Sequence, residues 1–512
     1  MNARRALSLL AGLGLGVGLA LSIGSAGAAE TPTGAWLAPA QLGLGQEPVV
    51  AASAGGDVVA AWRSVENGGV VRASFRPAGG RWQPVVEWPA WAGSPRVAID
   101  RKGSAIVTWI ALRENSATVA ASVRPAGRRW ETPVQLSSQD EWATDPRVGM
   151  DAAGNAFVAW RSSRWPESIQ TRYLSAETGT WAPAVALAAY GYSELELSVS
   201  PGGQALLVWD VSFDVGYGVA AAVGAGGRWE QPAFVGRSRE GDDWFTRPKA
   251  IAPAIGDRSA VVAWQYSIHG NGVIEATVRP AGGGWEASVD LSFTDGQAFS
   301  PAVAVDAAGN VLTAWDANVD IEGSTRSAGA ASWDRPVVVS PSTGAPVLRT
   351  SARGDAVALW SSGSSSSEVR AARKPAASAT WGSTSEIAVS AGQIGGVDVA
   401  IDAAGDAVAI WERNDGRWWV EVAASDVAPP VVTKLVTPKS GVVRKSLRFS
   451  IAARDTWSRT VTPAWTFGDG SRARGSTVTH RYRAPGLYRV TVTVADSLGH
   501  ATTKVRTIRI RR

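Results

Sequence analysis

Eight short apolar runs, each closing on a tryptophan, punctuate the chain at residues 58–62, 105–109, 156–160, 205–209, 260–264, 311–315, 356–360 and 407–411. Each is too short for a helix and apolar nearly throughout, which predicts a strand covered on both faces. The surroundings of Trp160 illustrate one unit. Pro146-Arg-Val-Gly-Met150 predicts a short strand, and Asp151-Ala-Ala-Gly154-Asn155 a tight hairpin in which Gly and Asn supply positive φ. After the apolar run come a variable loop, a third strand around residues 170–174, a turn, and a fourth strand starting at Trp181. Similar hairpins recur at Asp306-Ala-Ala-Gly309-Asn310 and Asp402-Ala-Ala-Gly405-Asp406.

The spacing of tryptophans sets the architecture. Trp62, Trp109, Trp160, Trp209, Trp264, Trp315, Trp360 and Trp411 recur about every 50 residues, and Trp36, Trp82, Trp130, Trp181, Trp229, Trp285, Trp333 and Trp381 form a second series of eight. Four antiparallel strands in each of eight units predict a propeller. The last unit lacks a fourth strand, while Gly34-Ala-Trp36-Leu-Ala-Pro at the front matches Gly179-Thr-Trp181-Ala-Pro. Each end holds what the other lacks. The expectation is an all-β chain with an eight-bladed β-propeller over residues 30–426, closed by its amino-terminal strand so that no sheet edge is left open. The periodic tryptophans are read as core, since periodicity in a repeat is set by packing.

Composition narrows the chemistry. Among 512 residues there is no Cys and there are only three His, which excludes disulfides and thiolate chemistry and leaves little for metal binding, so no metal or cofactor is expected. Residues 1–29 open with Arg4 and Arg5, run apolar from Ala6 to Ile23 and end in Ala26-Gly27-Ala28, the pattern of a cleaved secretory signal peptide. No transmembrane anchor is expected after cleavage, and the mature protein is placed outside the cell or at its surface. Residues 431–512 hold 17 Lys and Arg against three Asp, a surplus of +14, which leaves −11 for the propeller once the two leader arginines are removed from the total of +5. A basic module beside an acidic ring suggests attraction to an anionic cell-wall polymer or to the propeller itself, with a merely solvated basic face as the alternative. No recognition motif supports nucleic acid.

The propeller resembles the extracellular kelch and sialidase-type repeats in period and strand count, without the sialidase Asp box. The carboxy-terminal segment 427–512 resembles a PKD domain. Trp465-Thr-Phe467-Gly468-Asp469-Gly470, Val478-Thr-His480-Arg-Tyr482 and Gly486-Leu-Tyr488-Arg-Val-Thr-Val-Thr-Val494 carry that resemblance. It implies an immunoglobulin-like β-sandwich used as a spacer or binding module. Asp469 is read as a turn residue rather than a calcium ligand.

Binding groups are expected on the rim opposite the tight hairpins, where variable loops gather. Trp88, Trp91, Trp142, Trp165, Tyr192 and Trp244 lie in those loops with carboxylates such as Glu141, Asp145 and Glu194 nearby. Aromatic faces beside carboxylates suit a glycan; the same rings would otherwise plug gaps between blades. The spacing places Arg96, Arg147, Glu196, Lys249 and Asp398 at one register position of the inner strands, and Arg96 with Arg147 offers a fork for a ligand carboxylate. The preferred reading is a secreted or cell-envelope-associated binding protein whose rim recognises a glycan or polysaccharide. A carbohydrate-active enzyme using rim carboxylates comes second, and a scaffold for protein contacts third.

Overall fold

The apolar runs owe their strand conformation to burial on both faces: Ala156, Phe157, Val158, Ala159 and Trp160 are each at most 1% exposed. All eight tryptophans that close such runs are 2% exposed or less. The computed structural model describes residues 36–512 apart from 65, 67–68, 90, 164–166, 190–193, 214–215, 238–246, 269, 294–295 and 363–366. The signal-peptide reading of residues 1–29 lies outside the described residues. The described chain is all β-strand and loop, with no α-helix.

Strand β1 (Ala40–Leu44) precedes a first antiparallel sheet of β2 (Gln46–Ala52), β3 (Val58–Ser64), β4 (Val70–Arg76) and β5 (Val86–Pro89). Six more sheets of four or five strands follow in chain order among the described residues. The last repeat contributes Gln393–Ile401, Ala407–Asn414 and Trp418–Ser425, and β1 pairs with Trp418–Ser425 as its fourth strand. The ladder places Ala40 opposite Val422 and Leu44 opposite Trp419, and Trp36 bridges Ser425.

Cores form between sheets. Val59, Ala61 and Trp88 of the first sheet pack with Val107 and Trp109 of the second, and each later sheet meets its successor in the same way. Val50, Val58 and Trp62 of the first sheet pack with Val408, Ile410 and Val420 of the last. The second tryptophan series is half-buried, one ring at the margin of each such cluster. This burial is what makes a tryptophan every fifty residues a packing requirement.

The hairpins differ from expectation in one respect. Gly154 is left-handed at φ 102°, but Asn155 is not among the positive-φ residues. Asp151 Oδ1 instead accepts from the amides of Ala153, Gly154 and Asn155, and Asn155 Nδ2 donates to Asp151 Oδ2 at 2.7 Å. The aspartate side chain therefore organises the turn.

Beyond residue 430 two sheets face each other. One holds Val431–Val436, Leu447–Arg454 and Thr477–His480; the other holds Ser440–Val442, Ala464–Thr466, Arg472–Arg474, Gly486–Ala495 and Ala501–Arg511. Val490, Val492 and Val494 turn inward at 2%, 2% and 1% exposure, with more exposed threonines between them. That is the period-two alternation of a half-covered strand. Phe449, Trp465, Phe467 and Tyr482 fill the space between the sheets.

Candidate functional site

In four of the sheets the first strand has a forced backbone where it begins, at the end away from the hairpins. Glu47, Ser94, Asp145 and Ser300 each precede a proline and sit at φ between 50° and 53°. The ladder slips at the same place in each of these strands. Proline disfavours a helical conformation in its predecessor, so these bulges hold strained backbone. Carboxylates from neighbouring sheets brace them: Glu412 accepts from Glu47 N at 2.7 Å and Glu47 from Ser94 N at 2.9 Å.

Past the bulges stand the charged residues of the inner strands. Arg147 donates Nε and Nη2 to the two oxygens of Glu196 at 3.0 and 2.8 Å. Burial alone would pull its guanidinium down, but Glu196 outweighs burial and the group is raised. Arg349 meets Asp398 at 3.3 Å, and Asp398 also accepts from Val50 N. Arg96 has no acidic partner among the described residues; its Nη1 donates to Pro95 O at 2.9 Å. Burial first, then the neighbouring Arg147, holds its guanidinium below the ordinary value. Arg96 and Arg147, expected as a pair, are therefore unlike: one is bound by a neighbour and one is not.

Lys249 does not share their register. Arg96, Arg147, Glu196 and Asp398 each lie opposite the residue before a core tryptophan, namely Thr108, Ala159, Val208 and Ile410. In the fifth sheet Ala252 holds that place, opposite Ala263, and Lys249 pairs with Gln265 on the other side of the ladder slip. Ala250 is left-handed in the place of Ser94 and Asp145, so Pro248-Lys249 lies before the slip whereas Pro95-Arg96 and Pro146-Arg147 end it.

The candidate aromatics separate. Trp88 is 6% exposed, stacked on Trp109 at 5.1 Å and set edge-on to Trp130 at 5.2 Å. Trp142 is 50% exposed, its carbonyl held by Ser163 N and Oγ. Its backbone bridges Ala117, whose chain neighbour Thr118 lines a cavity of about 440 Å³ together with Trp88, Trp109, Leu112, Arg113 and Gln135. Trp165, Tyr192 and Trp244 lie outside the described residues, and so does the side chain of Trp91. The described rim acids have protein partners: Glu141 accepts from Trp160 Nε1 at 2.8 Å, and Asp145 pairs with Arg161 at 3.0 Å.

On the hairpin rim, a group of acids gathers where the repeats end. Asp426 is fully buried beside Ser458 and Asp455, and Asp426, Asp496 and His500 bring one ligand atom each within 4.8 Å. Burial, then Asp455 and Asp406 nearby, raises the Asp426 carboxyl. This donor set has the chemistry to hold a cation, against the expectation of none. The signal was legible in part, since Asp455, Asp469 and Asp496 are the only acids of a strongly basic segment. Asp469 caps Ser471 N and bonds His480 Nε2 at 2.7 Å, which is a turn role. His269, the remaining histidine, lies outside the described residues.

Comparison with known proteins bears on the two regions separately. Residues 427–511 match the PKD domain family. A microbial collagenase of Vibrio alginolyticus is 33% identical over 97 residues, which is 19% of this chain and only 12% of that protein. Among solved structures, the chain is similar to the BP39L lectin of Burkholderia pseudomallei, with a TM-score of 0.48 and 15% identity over 68% of this chain and all of the lectin. It is also similar to the β-propeller domain of the Trilobed protease of Pyrococcus furiosus, with a TM-score of 0.40 and 8% identity over 70% of this chain and 98% of that one.

Proposed function

We propose that the chain is a secreted or cell-envelope-associated binding protein. In this reading residues 1–29 are a removed signal peptide, residues 30–426 an eight-bladed β-propeller closed by the amino-terminal strand, and residues 427–512 a PKD module. The pairing of β1 with Trp418–Ser425 and the apolar cluster joining first and last sheets support closure. The loop rim recognises an extracellular glycan or polysaccharide. One observation carries this: a cavity of about 440 Å³ is lined by aromatic, aliphatic, guanidinium and amide groups, and the half-exposed Trp142 bridges Ala117, the chain neighbour of the cavity's lining residue Thr118. A flat ring beside such groups takes the apolar face of a sugar while the polar groups bond its hydroxyls.

Arg96 adds a fork for a ligand carboxylate, because its neighbours' acids are already occupied. The same occupancy of Glu141, Asp145 and Glu196 favours binding over glycosidic cleavage, which needs two carboxyl groups facing the substrate. The basic PKD surface is the docking element for anionic wall polymer. The test is retention on a panel of polysaccharides by the full chain and by Trp142→Ala.

A further inference from the structure

Each seam between sheets can be compared with its sisters. The residue opposite the fourth position before a core tryptophan is Arg76, Arg124, Arg279 and Arg326 in the first, second, fifth and sixth sheets. Three of these reach back to the sheet before. Arg124 lies over the Phe75 ring at 3.6 Å, Arg279 pairs with Glu230 at 2.8 Å, and Arg326 pairs with Glu286 at 2.6 Å.

For Arg76, the sheet before is the last one; Asp406 and Asp426 of that repeat attract the guanidinium, but among the described residues none of that sheet stacks under it or hydrogen-bonds to it. Ala424 stands where Phe75 stands in the first sheet, and Leu37 follows Trp36 where Glu230 and Glu286 follow their tryptophans. Arg76 instead lies over the ring of Trp457 at 3.6 Å and donates Nη2 to Thr456 O at 2.6 Å. Both partners belong to the PKD module. Trp457 also packs against the apolar cluster that joins the first and last sheets. Gly79 N donates to Thr456 O at 3.2 Å, and a Cβ there would meet Asp455 O at 2.8 Å, on a backbone at φ +69°. On the last sheet, Asp406 Oδ1 accepts from Val427 N and Ala428 N at 2.8 and 2.9 Å.

We propose that the Thr456-Trp457 pair is a lock on the seam where the repeat array meets its own beginning: the PKD module supplies the stacked ring and the hydrogen-bond acceptor that the last sheet does not. The hairpin rim of the first and last sheets is thus a docking face whose occupant is a segment of the same chain. The inference is independent of what the opposite rim binds.

The test uses the full chain and hydrogen exchange of the amides in β1, whose pairing closes the seam. Arg76→Ala and Trp457→Ala each speed that exchange about tenfold, the size expected of a desolvated guanidinium–indole contact. The double variant exchanges no faster than either single one, and Arg124→Ala leaves β1 unchanged. Trp457→Phe, which keeps a ring under the guanidinium, restores most of the protection. Independent effects that multiply in the double variant would overturn the proposal. So would a Trp457→Ala chain that loosens only residues 427–512 while β1 keeps its original protection.

Discussion

Arg147 and Glu196 stand on inner strands of adjacent sheets and are joined by two parallel charge-assisted bonds of 3.0 and 2.8 Å. The pair turns two exposed-looking charges into a strut between the third and fourth sheets. Glu196→Gln is expected to lower stability by about 1–2 kcal/mol, a modest figure because Glu196 keeps 35% of its side chain in water. Arg96→Ala, which breaks no ion pair, should change stability by less than about 0.5 kcal/mol. Urea unfolding of the two variants checks the contrast; equal losses would contradict it.

Trp88 and Trp142 were candidates of one kind in sequence and are different in structure. Trp88→Ala removes a ring stacked in the core and should cost about 3–5 kcal/mol. Trp142→Ala removes a half-exposed ring and should leave the unfolding temperature nearly unchanged. Thermal unfolding separates them, and a large loss for Trp142→Ala would assign that ring to packing.

Those residues also show how far sequence reaches. The core tryptophans were legible because one packing demand recurs in every repeat, and the match of Trp36 to Trp181 exposed the shared fourth strand. The bulges were not legible, because a left-handed residue at a strand start has no compositional signature; in the fifth sheet it is Ala250, before Ile251, so Pro248-Lys249 imitates Pro95-Arg96 while Ala252 takes the register of Arg96. The contact of Arg76 with Trp457 joins residues 381 positions apart in different modules, and no local pattern announces it. The PKD module was legible through its turn and strand motifs, while the approach of Asp426 to Asp496 and His500 was not, because it joins residues 70 or more positions apart.

The hairpin at Asp402 should make stability depend on pH. Sister turns pair Asp151 with Asn155 and Asp306 with Asn310, whereas Asp402 faces Asp406. Burial, then the charge of Asp406, pushes Asp402 up to about 7, although backbone amides oppose the shift and Arg373 stands nearby on Asp406. A carboxyl raised from its ordinary value near about 3.9 binds its proton more tightly in the folded chain. Its stabilising contribution is therefore complete below about pH 4 and is lost as pH rises through 7. In chelator, the unfolding temperature should fall from pH 5 to pH 8, and Asp406→Asn should flatten that slope by restoring the amide donor. Stability that rises over this range in the parent chain would refute the assignment.

Salt should govern the basic module. If its surplus of +14 holds anionic wall polymer, the full chain pellets with isolated cell walls at low ionic strength and is released as salt rises past about 0.15 M. Pelleting that ignores salt would assign wall binding to the rim or to apolar contact instead.

The most direct measurement is retention of the full chain on a polysaccharide and cell-wall array, run beside Trp142→Ala under conditions where both unfold at the same temperature. The account predicts that the parent chain is held by at least one polysaccharide and that the variant binds it about tenfold or more weakly. A parent chain held by none, or a variant held equally well, would contradict it.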